Sequence, residues 1–268
     1  MRRLGWGLVA VALVLIGARV PDAHAASRGT KGAPAFVPTR VSLFGDSLSY
    51  QSKVGFTARL ERRAPGDLNV SARPGAALCD DRSTILEDLL RRRPQVLVLE
   101  YTGNSFTGCM RDAAGTLLAI GSTEWRDRYV DDLRAVMTVA SVTDTKVLWA
   151  TAPPVHHLAA PENYPRQLAV AARKLSMTHH RLQVVDTGNA LESNEHTFTS
   201  TLPCRADEHA FCVDGRIPVR AADGLHFDCV GTIDAYGGCI GYTAGGRRFG
   251  EAMADAAIAN AAIIEDPA

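Results

Sequence analysis

The sequence predicts a three-layer α/β/α sandwich built on a five-stranded parallel sheet. Three observations carry that reading. Short apolar runs of strand character alternate with amphipathic helical stretches, the pattern of βαβ units whose sheet is covered on both faces. The run Val96-Leu97-Val98-Leu99 is unbroken, as suits a strand buried on both sides. About 243 residues remain once an N-terminal leader is set aside, enough for one α/β domain with a full core.

The elements follow in order. Residues 40–44 predict a first buried strand and residues 51–63 a helix. Residues 67–72 predict a short second strand, closed by the turn Arg73-Pro74-Gly75. Ile85, Leu86, Leu89 and Leu90 recur at helical spacing within residues 81–92. The basic end of that helix, Arg91-Arg92-Arg93, suits its carbonyl terminus better than an anion site. Pro94 stops the helix, and residues 95–101 hold the third strand. Residues 122–142 place Trp125, Tyr129, Leu133 and Val136 on one side of a helix. Residues 146–150 are a fourth strand, with Trp149 expected in the core and Pro153-Pro154 ending it. A helix over 164–181, a fifth strand over 182–186 and a long alanine-rich helix over 243–264 complete the series. Right-handed crossovers leave few arrangements of such a chain. Residues 187–241 show little regular pattern and hold four of the six cysteines, so they read as a disulfide-braced loop region.

The first residues do not read as part of the fold. Arg2 and Arg3 precede an apolar run from Leu4 to Ile16, and Ala23-His24-Ala25 is a small-x-small cleavage pattern. This predicts a secretory signal peptide over residues 1–25, a flexible leader over 26–38 and one domain over 39–268. The run is shorter than the roughly 20 residues of a bilayer span, which disfavours an uncleaved anchor. No other run is long enough to cross a membrane. After cleavage 26 basic and 28 acidic residues remain, a net charge of about −2. Nothing in that balance suggests a nucleic-acid partner, which would want a basic face. The product is expected to be secreted or held in the cell envelope. Six cysteines in an exported chain favour disulfides, and the preferred pairing is Cys79–Cys109, Cys204–Cys212 and Cys229–Cys239. Zinc is the competing reading, disfavoured because no Cys-x-x-Cys pair occurs.

Candidate chemistry lies at the predicted strand ends. In an open parallel sheet, ligands bind beyond the carboxyl ends of the strands. Gly45-Asp46-Ser47-Leu48 follows the first strand, Gly75 the second, and Tyr101-Thr102-Gly103-Asn104 ends the third. Asp223-Gly224-Leu225-His226 precedes the last helix. These residues suit acyl transfer. A serine hydroxyl attacks only when a base takes its proton, and imidazole does this best near neutral pH, so Ser47 and His226 pair as nucleophile and base. Asp223 can hold the imidazole through Nδ1. The backbone N–H groups of Ser47 and Gly75, with the Asn104 amide, can receive an oxyanion, each donor worth roughly 3–4 kcal/mol of barrier. Asp46 is expected to fix the turn rather than act as a base. The doublets His156-His157 and His179-His180 read as surface histidines, because adjacent residues do not face one way. No metal and no organic cofactor is implied.

These four blocks, in order from Phe44 to His226, resemble those of the SGNH hydrolase superfamily, also called the GDSL esterase/lipase family. Gly45-Asp46-Ser47-Leu48 is similar to the nucleophile block and Asp223-x-x-His226 to the acid–base block. Gly75 and Asn104 match the oxyanion glycine and asparagine. Two departures stand out: the family's third block is usually Gly-x-Asn-Asp, whereas Gly103 directly precedes Asn104 and Ser105 follows it, and Gly75 rests on spacing more than on flanking residues. The resemblance implies a flavodoxin-like SGNH hydrolase fold and a secreted bacterial serine esterase acting through an acyl-enzyme. The expected substrate is a small-molecule, glycan or lipid ester, with short acyl or acetyl groups favoured because no long apolar lid segment occurs. The alternatives are an acyltransferase or deacetylase on cell-envelope glycans, and a catalytically silent envelope-binding module. Retention of the serine, histidine and oxyanion set argues against the silent module. Acyl length, alcohol moiety and oligomeric state stay open at this point.

Overall fold

The computed structural model describes residues 39–156, 161, 163–194 and 197–265, the last four as backbone alone. The predicted signal peptide and leader lie outside these residues. Five strands form one parallel sheet: β1 (Thr39–Gly45), β2 (Gly66–Ala72), β3 (Val96–Glu100), β4 (Lys146–Ala150) and β5 (Leu182–Val185). Their order is β2-β1-β3-β4-β5. The crossovers are helices α1 (Ser47–Arg63), α2 (Leu78–Arg91), α3 (Thr123–Thr143) and α4 (Tyr164–Ser176), and α5 (Ala244–Glu265) closes the chain. The chain starts at β1, moves outward to β2, then crosses back to β3. The strand order therefore reverses between β1 and β3, which places a ligand crevice beyond their carboxyl ends.

Period-two alternation sorts the sheet's side chains into two cores. Phe44, Leu97, Leu99, Val147 and Trp149 pack with Leu78 and Leu89 of α2, Trp125 and Val136 of α3, and Leu168 of α4. Val41, Leu43, Val96, Val98, Leu148 and Ala150 pack on the other face with Leu48 and Phe56 of α1 and Phe249 and Met253 of α5. This explains the unbroken apolar run at residues 96–99, since neither face of β3 meets water.

Several boundaries differ from expectation, each for a local reason. α1 starts at Ser47 rather than 51, because the Asp46 side chain caps it by accepting from the Leu48 N–H at 3.1 Å. α2 starts at Leu78 rather than 81, its first turn closed by Asp80 accepting from the Ala77 N–H at 2.8 Å. α4 ends at Ser176 rather than 181, where the Thr178 hydroxyl takes the Leu175 carbonyl at 3.1 Å.

The region expected to be irregular is partly ordered. It holds two antiparallel ribbons, β6 (Thr201–Pro203) with β7 (Arg216–Pro218) and β8 (Val230–Ile233) with β9 (Cys239–Tyr242), and two 3₁₀ turns. Strands of three or four residues are too short to show a hydrophobic period. The disulfides Cys204–Cys212 and Cys229–Cys239 close loops in these ribbons, and Arg248 of α5 pairs with Glu208 in a buried ion pair. The third bridge joins Cys79 to Cys109, so the preferred pairing is the one formed. No helix among the described residues is long and apolar enough to cross a membrane.

Candidate active site

Ser47 owes its place to the turn at Asp46. β1 ends at Gly45 and α1 begins at Ser47, so the hydroxyl stands at the carboxyl edge of the sheet beside the switch point. Asp46 is fully buried, and its second carboxylate oxygen accepts from the Thr102 N–H (2.7 Å), the Thr102 hydroxyl (2.5 Å) and the Asn104 amide (3.2 Å). One carboxylate thus ties the serine turn to the loop after β3, a fixing role rather than a base's. As the first helical residue, Ser47 has a backbone N–H without an intrahelical acceptor.

The hydrogen-bond chain expected from the sequence is present. Ser47 Oγ lies 3.0 Å from His226 Nε2, and His226 Nδ1 lies 2.6 Å from Asp223 Oδ2. The other Asp223 oxygen accepts from the Leu225 and His226 backbone N–H groups, each at 2.9 Å. Asp223 therefore caps its own turn and holds the imidazole at once. Burial raises the Asp223 carboxyl, but the hydrogen bonds from the His226 ring and from those two N–H groups outweigh it and hold the group below its ordinary value.

The loop carrying His226 is clamped from several sides. Gly224 has φ of 70°, and a Cβ there would fall 2.1 Å from the His156 carbonyl oxygen, so only glycine fits. Arg220, 4% exposed, donates to the Leu225 carbonyl and to the Pro154 carbonyl, both at 2.8 Å. It thereby ties the segment after β4 to the residue preceding His226. Burial pulls the Arg220 guanidinium down to about 10, against the charges of Asp223 and Glu100. Gln51 accepts from the Phe227 N–H at 3.0 Å and donates to the Gly237 carbonyl at 2.8 Å, joining α1 to the histidine loop and the β8–β9 ribbon. The sequence reading missed both clamps. Gln51 had a signal, standing one helical turn after Ser47 on the same face. Arg220 had none, since nothing in its surroundings marks a buried arginine.

The loops after β2 and β3 flank the Ser47 turn, because those strands pair with β1 on its two edges. Gly75 has φ of 78°, and its N–H makes no hydrogen bond among the described residues. Asn104 is 9% exposed, and its amide donates to Asp46 (3.2 Å) and to the Ala76 carbonyl (3.0 Å). The amide expected to face an oxyanion is thus engaged here in bracing the Gly75 loop against the serine turn. It can donate to a substrate oxygen by releasing Ala76. The altered third block is held by α3: Trp125 Nε1 donates to the Gly103 carbonyl and the Tyr129 hydroxyl to the Asn104 carbonyl, both at 2.9 Å.

Cys79–Cys109 joins the first turn of α2 to the loop after Asn104, so it braces both loops. Replacing both cysteines with alanine is expected to cost about 3.5 kcal/mol in chemical denaturation, given the 30-residue separation it spans. Cys79, Asp80 and Cys109 are the sole cluster of metal-ligand types among the described residues, and their two sulfurs are bonded to each other. The His156 backbone docks on Gly224 and its ring lies 5.8 Å from that of Phe198, while His179 sits beside the Leu175 carbonyl at the end of α4. His157 lies outside the described residues.

Beneath the turn is a second acid. Glu100 is fully buried and accepts from the Ser49 hydroxyl at 2.8 Å, and its other oxygen has no hydrogen-bond partner among the described residues. Burial first, then the Asp46 charge, push the Glu100 carboxyl well above its ordinary value. Burial raises Asp46 too, partly offset by its bonds from Thr102.

No protein with a curated description matches the chain. Among solved structures, a GDSL-like lipase from Bacteroides thetaiotaomicron is similar at 12% identity and a TM-score of 0.52, over 83% of this chain and 88% of that one. The acetyl xylan esterase AlAXEase is similar at 16% identity and 0.51, over 81% and 98%. A catalytic mutant of Axe2, an acetylxylan esterase from Geobacillus stearothermophilus, is similar at 11% and 0.52, over 84% and 94%. At these identities the likeness shows the fold, that of the GDSL-type, or SGNH, hydrolases. A model of the family described as protein of unknown function (DUF459) matches residues 40–234, and the chain belongs to that family.

Proposed function

We propose that the protein is an exported serine esterase that hydrolyses short-chain acyl or acetyl esters. The observation that carries this is the continuous Ser47–His226–Asp223 hydrogen-bond chain at the switch point of the sheet. Ser47 Oγ attacks the ester carbonyl while His226 Nε2 takes its proton, and the negative oxygen that forms is received by the N–H groups of Ser47 and Gly75, with Asn104 as a further donor. Asp223, ionised because its pKa is held low, stabilises the imidazolium. The imidazolium then protonates the leaving alcohol oxygen as the C–O bond breaks, leaving an acyl group on Ser47. Water attacks that acyl-enzyme, giving its proton to His226, and the carboxylic acid departs as Ser47 recovers its hydrogen.

Export is supported by the signal peptide read over residues 1–25 and by three disulfides, which persist in oxidising compartments. Two of the structural neighbours are named acetylxylan esterases, so acetylated polysaccharide is the first natural substrate class to try. Transfer to a sugar hydroxyl is the second reading. The His226 side chain is 35% exposed, which leaves room for an acceptor larger than water. The test is covalent capture. A p-nitrophenyl alkylphosphonate should add one equivalent to the intact protein, at Ser47 by peptide mass mapping, and p-nitrophenyl acetate should turn over. Labelling elsewhere, or none, overturns the reading. Added glycan acceptors separate transfer from hydrolysis by their products.

A further inference from the structure

We propose that Phe106 is the acyl-selecting surface of this site and that the enzyme prefers acyl groups of several carbons to acetyl. The inference rests on the esterase reading. In the tetrahedral intermediate the reacting carbon carries Ser47 Oγ, the oxyanion, the leaving oxygen and the acyl chain. The leaving oxygen must face His226 Nε2, which protonates it, and the oxyanion faces the N–H groups of Ser47 and Gly75. The acyl chain takes the remaining position, pointing neither at His226 nor into the oxyanion donors, and so runs past the Gly75 N–H along the rim of the loops after β2 and β3.

The exposed ring of Phe106 borders Gly75 on that rim. It is two residues beyond Asn104, and its side chain is so placed that a Cβ added to Gly75 would lie 3.0 Å from Cε2 and 3.2 Å from Cζ. The far edge of the ring thus rests on Gly75, while the residue as a whole is 62% exposed. The fold makes little use of the ring. Phe211, also partly exposed, stacks on Tyr242 at 4.1 Å, whereas Phe106 makes no ring–ring contact among the described residues. Its loop is nevertheless anchored on both sides, by the Tyr129 hydroxyl on the Asn104 carbonyl and by the Cys79–Cys109 bridge. An exposed apolar ring on a fixed loop is a preformed surface for an apolar ligand, with little ordering cost on binding. An acetyl group offers that surface one methyl, and each further methylene laid along it leaves water on one side.

One-sided burial of this kind is worth about a factor of two per methylene in kcat/KM. The experiment is a series of p-nitrophenyl acetate, butyrate, hexanoate and octanoate with the wild-type protein, Phe106→Ala and Phe106→Tyr. The expected result is a wild-type preference for hexanoate over acetate that falls about tenfold in Phe106→Ala and is retained in Phe106→Tyr. A preference unchanged by Phe106→Ala overturns the inference. So does an equal loss on every ester, which would make the ring a support for the Gly75 loop. A wild-type protein that turns over acetate with no preference for longer chains overturns the inference alone. A protein that turns over none of the series overturns the esterase reading, and this inference with it.

Discussion

Ser47→Ala is expected to lower kcat on p-nitrophenyl acetate by about 10⁴–10⁶-fold, and His226→Ala by a similar factor. The double variant should be no worse than either single one. Non-additivity is the diagnostic result, because in the proposed reaction nucleophile and base perform one step: without its base Ser47 is an ordinary alcohol, and without Ser47 the base has no proton to take. Losses that multiply would mean the two residues act in separate steps. Stability should hardly move. The Ser47 hydroxyl makes its hydrogen bond to His226, whose side chain is one-third exposed, so water can replace the missing partner. Melting temperatures near that of the wild type, beside collapsed turnover, would locate the effect in chemistry rather than folding.

The parts of this site legible in the sequence are those fixed by local chain chemistry. Gly45-Asp46-Ser47-Leu48 shows a strand running into a helix cap, and Asp223-x-x-His226 a turn that brings a carboxylate under an imidazole; both geometries follow from spacing alone. β3 was equally plain, because burial on both faces writes itself as an unbroken apolar run. What stayed hidden depends on tertiary approach. Arg220 functions as a clamp only because the segment after β4 and the histidine loop meet around it, and no local pattern encodes that meeting. Asn104 is legible as a polar residue beyond β3, but the engagement of its amide with Ala76 depends on how the β2 loop folds back. The β6–β7 and β8–β9 ribbons escaped notice because crosslinks stabilise them in place of a hydrophobic period.

The two buried acids beneath the Ser47 turn yield opposite predictions. Asp46→Ala strips the acceptor from four donors at once: the Leu48 and Thr102 N–H groups, the Thr102 hydroxyl and the Asn104 amide. All lie in a fully buried turn where water cannot substitute readily, and a loss of about 3–5 kcal/mol in chemical denaturation is expected, with turnover falling as the serine turn loosens. Glu100→Gln should behave otherwise. The Glu100 carboxyl is raised well above 4.5 in the folded protein, first by burial and then by Asp46. A group raised in this way contributes stability below its unfolded value and loses it as pH rises through the folded value. Glutamine mimics the protonated acid and cannot ionise, so the variant should match the wild type near about pH 4. Above that it should gain on the wild type by about 1.4 kcal/mol per pH unit until the raised value is passed. Denaturation curves at several pH values measure the divergence. If Glu100→Gln were instead less stable at about pH 8, the carboxylate would be ionised there and Arg220 would be its counter-charge, giving that arginine a second task beneath the histidine loop.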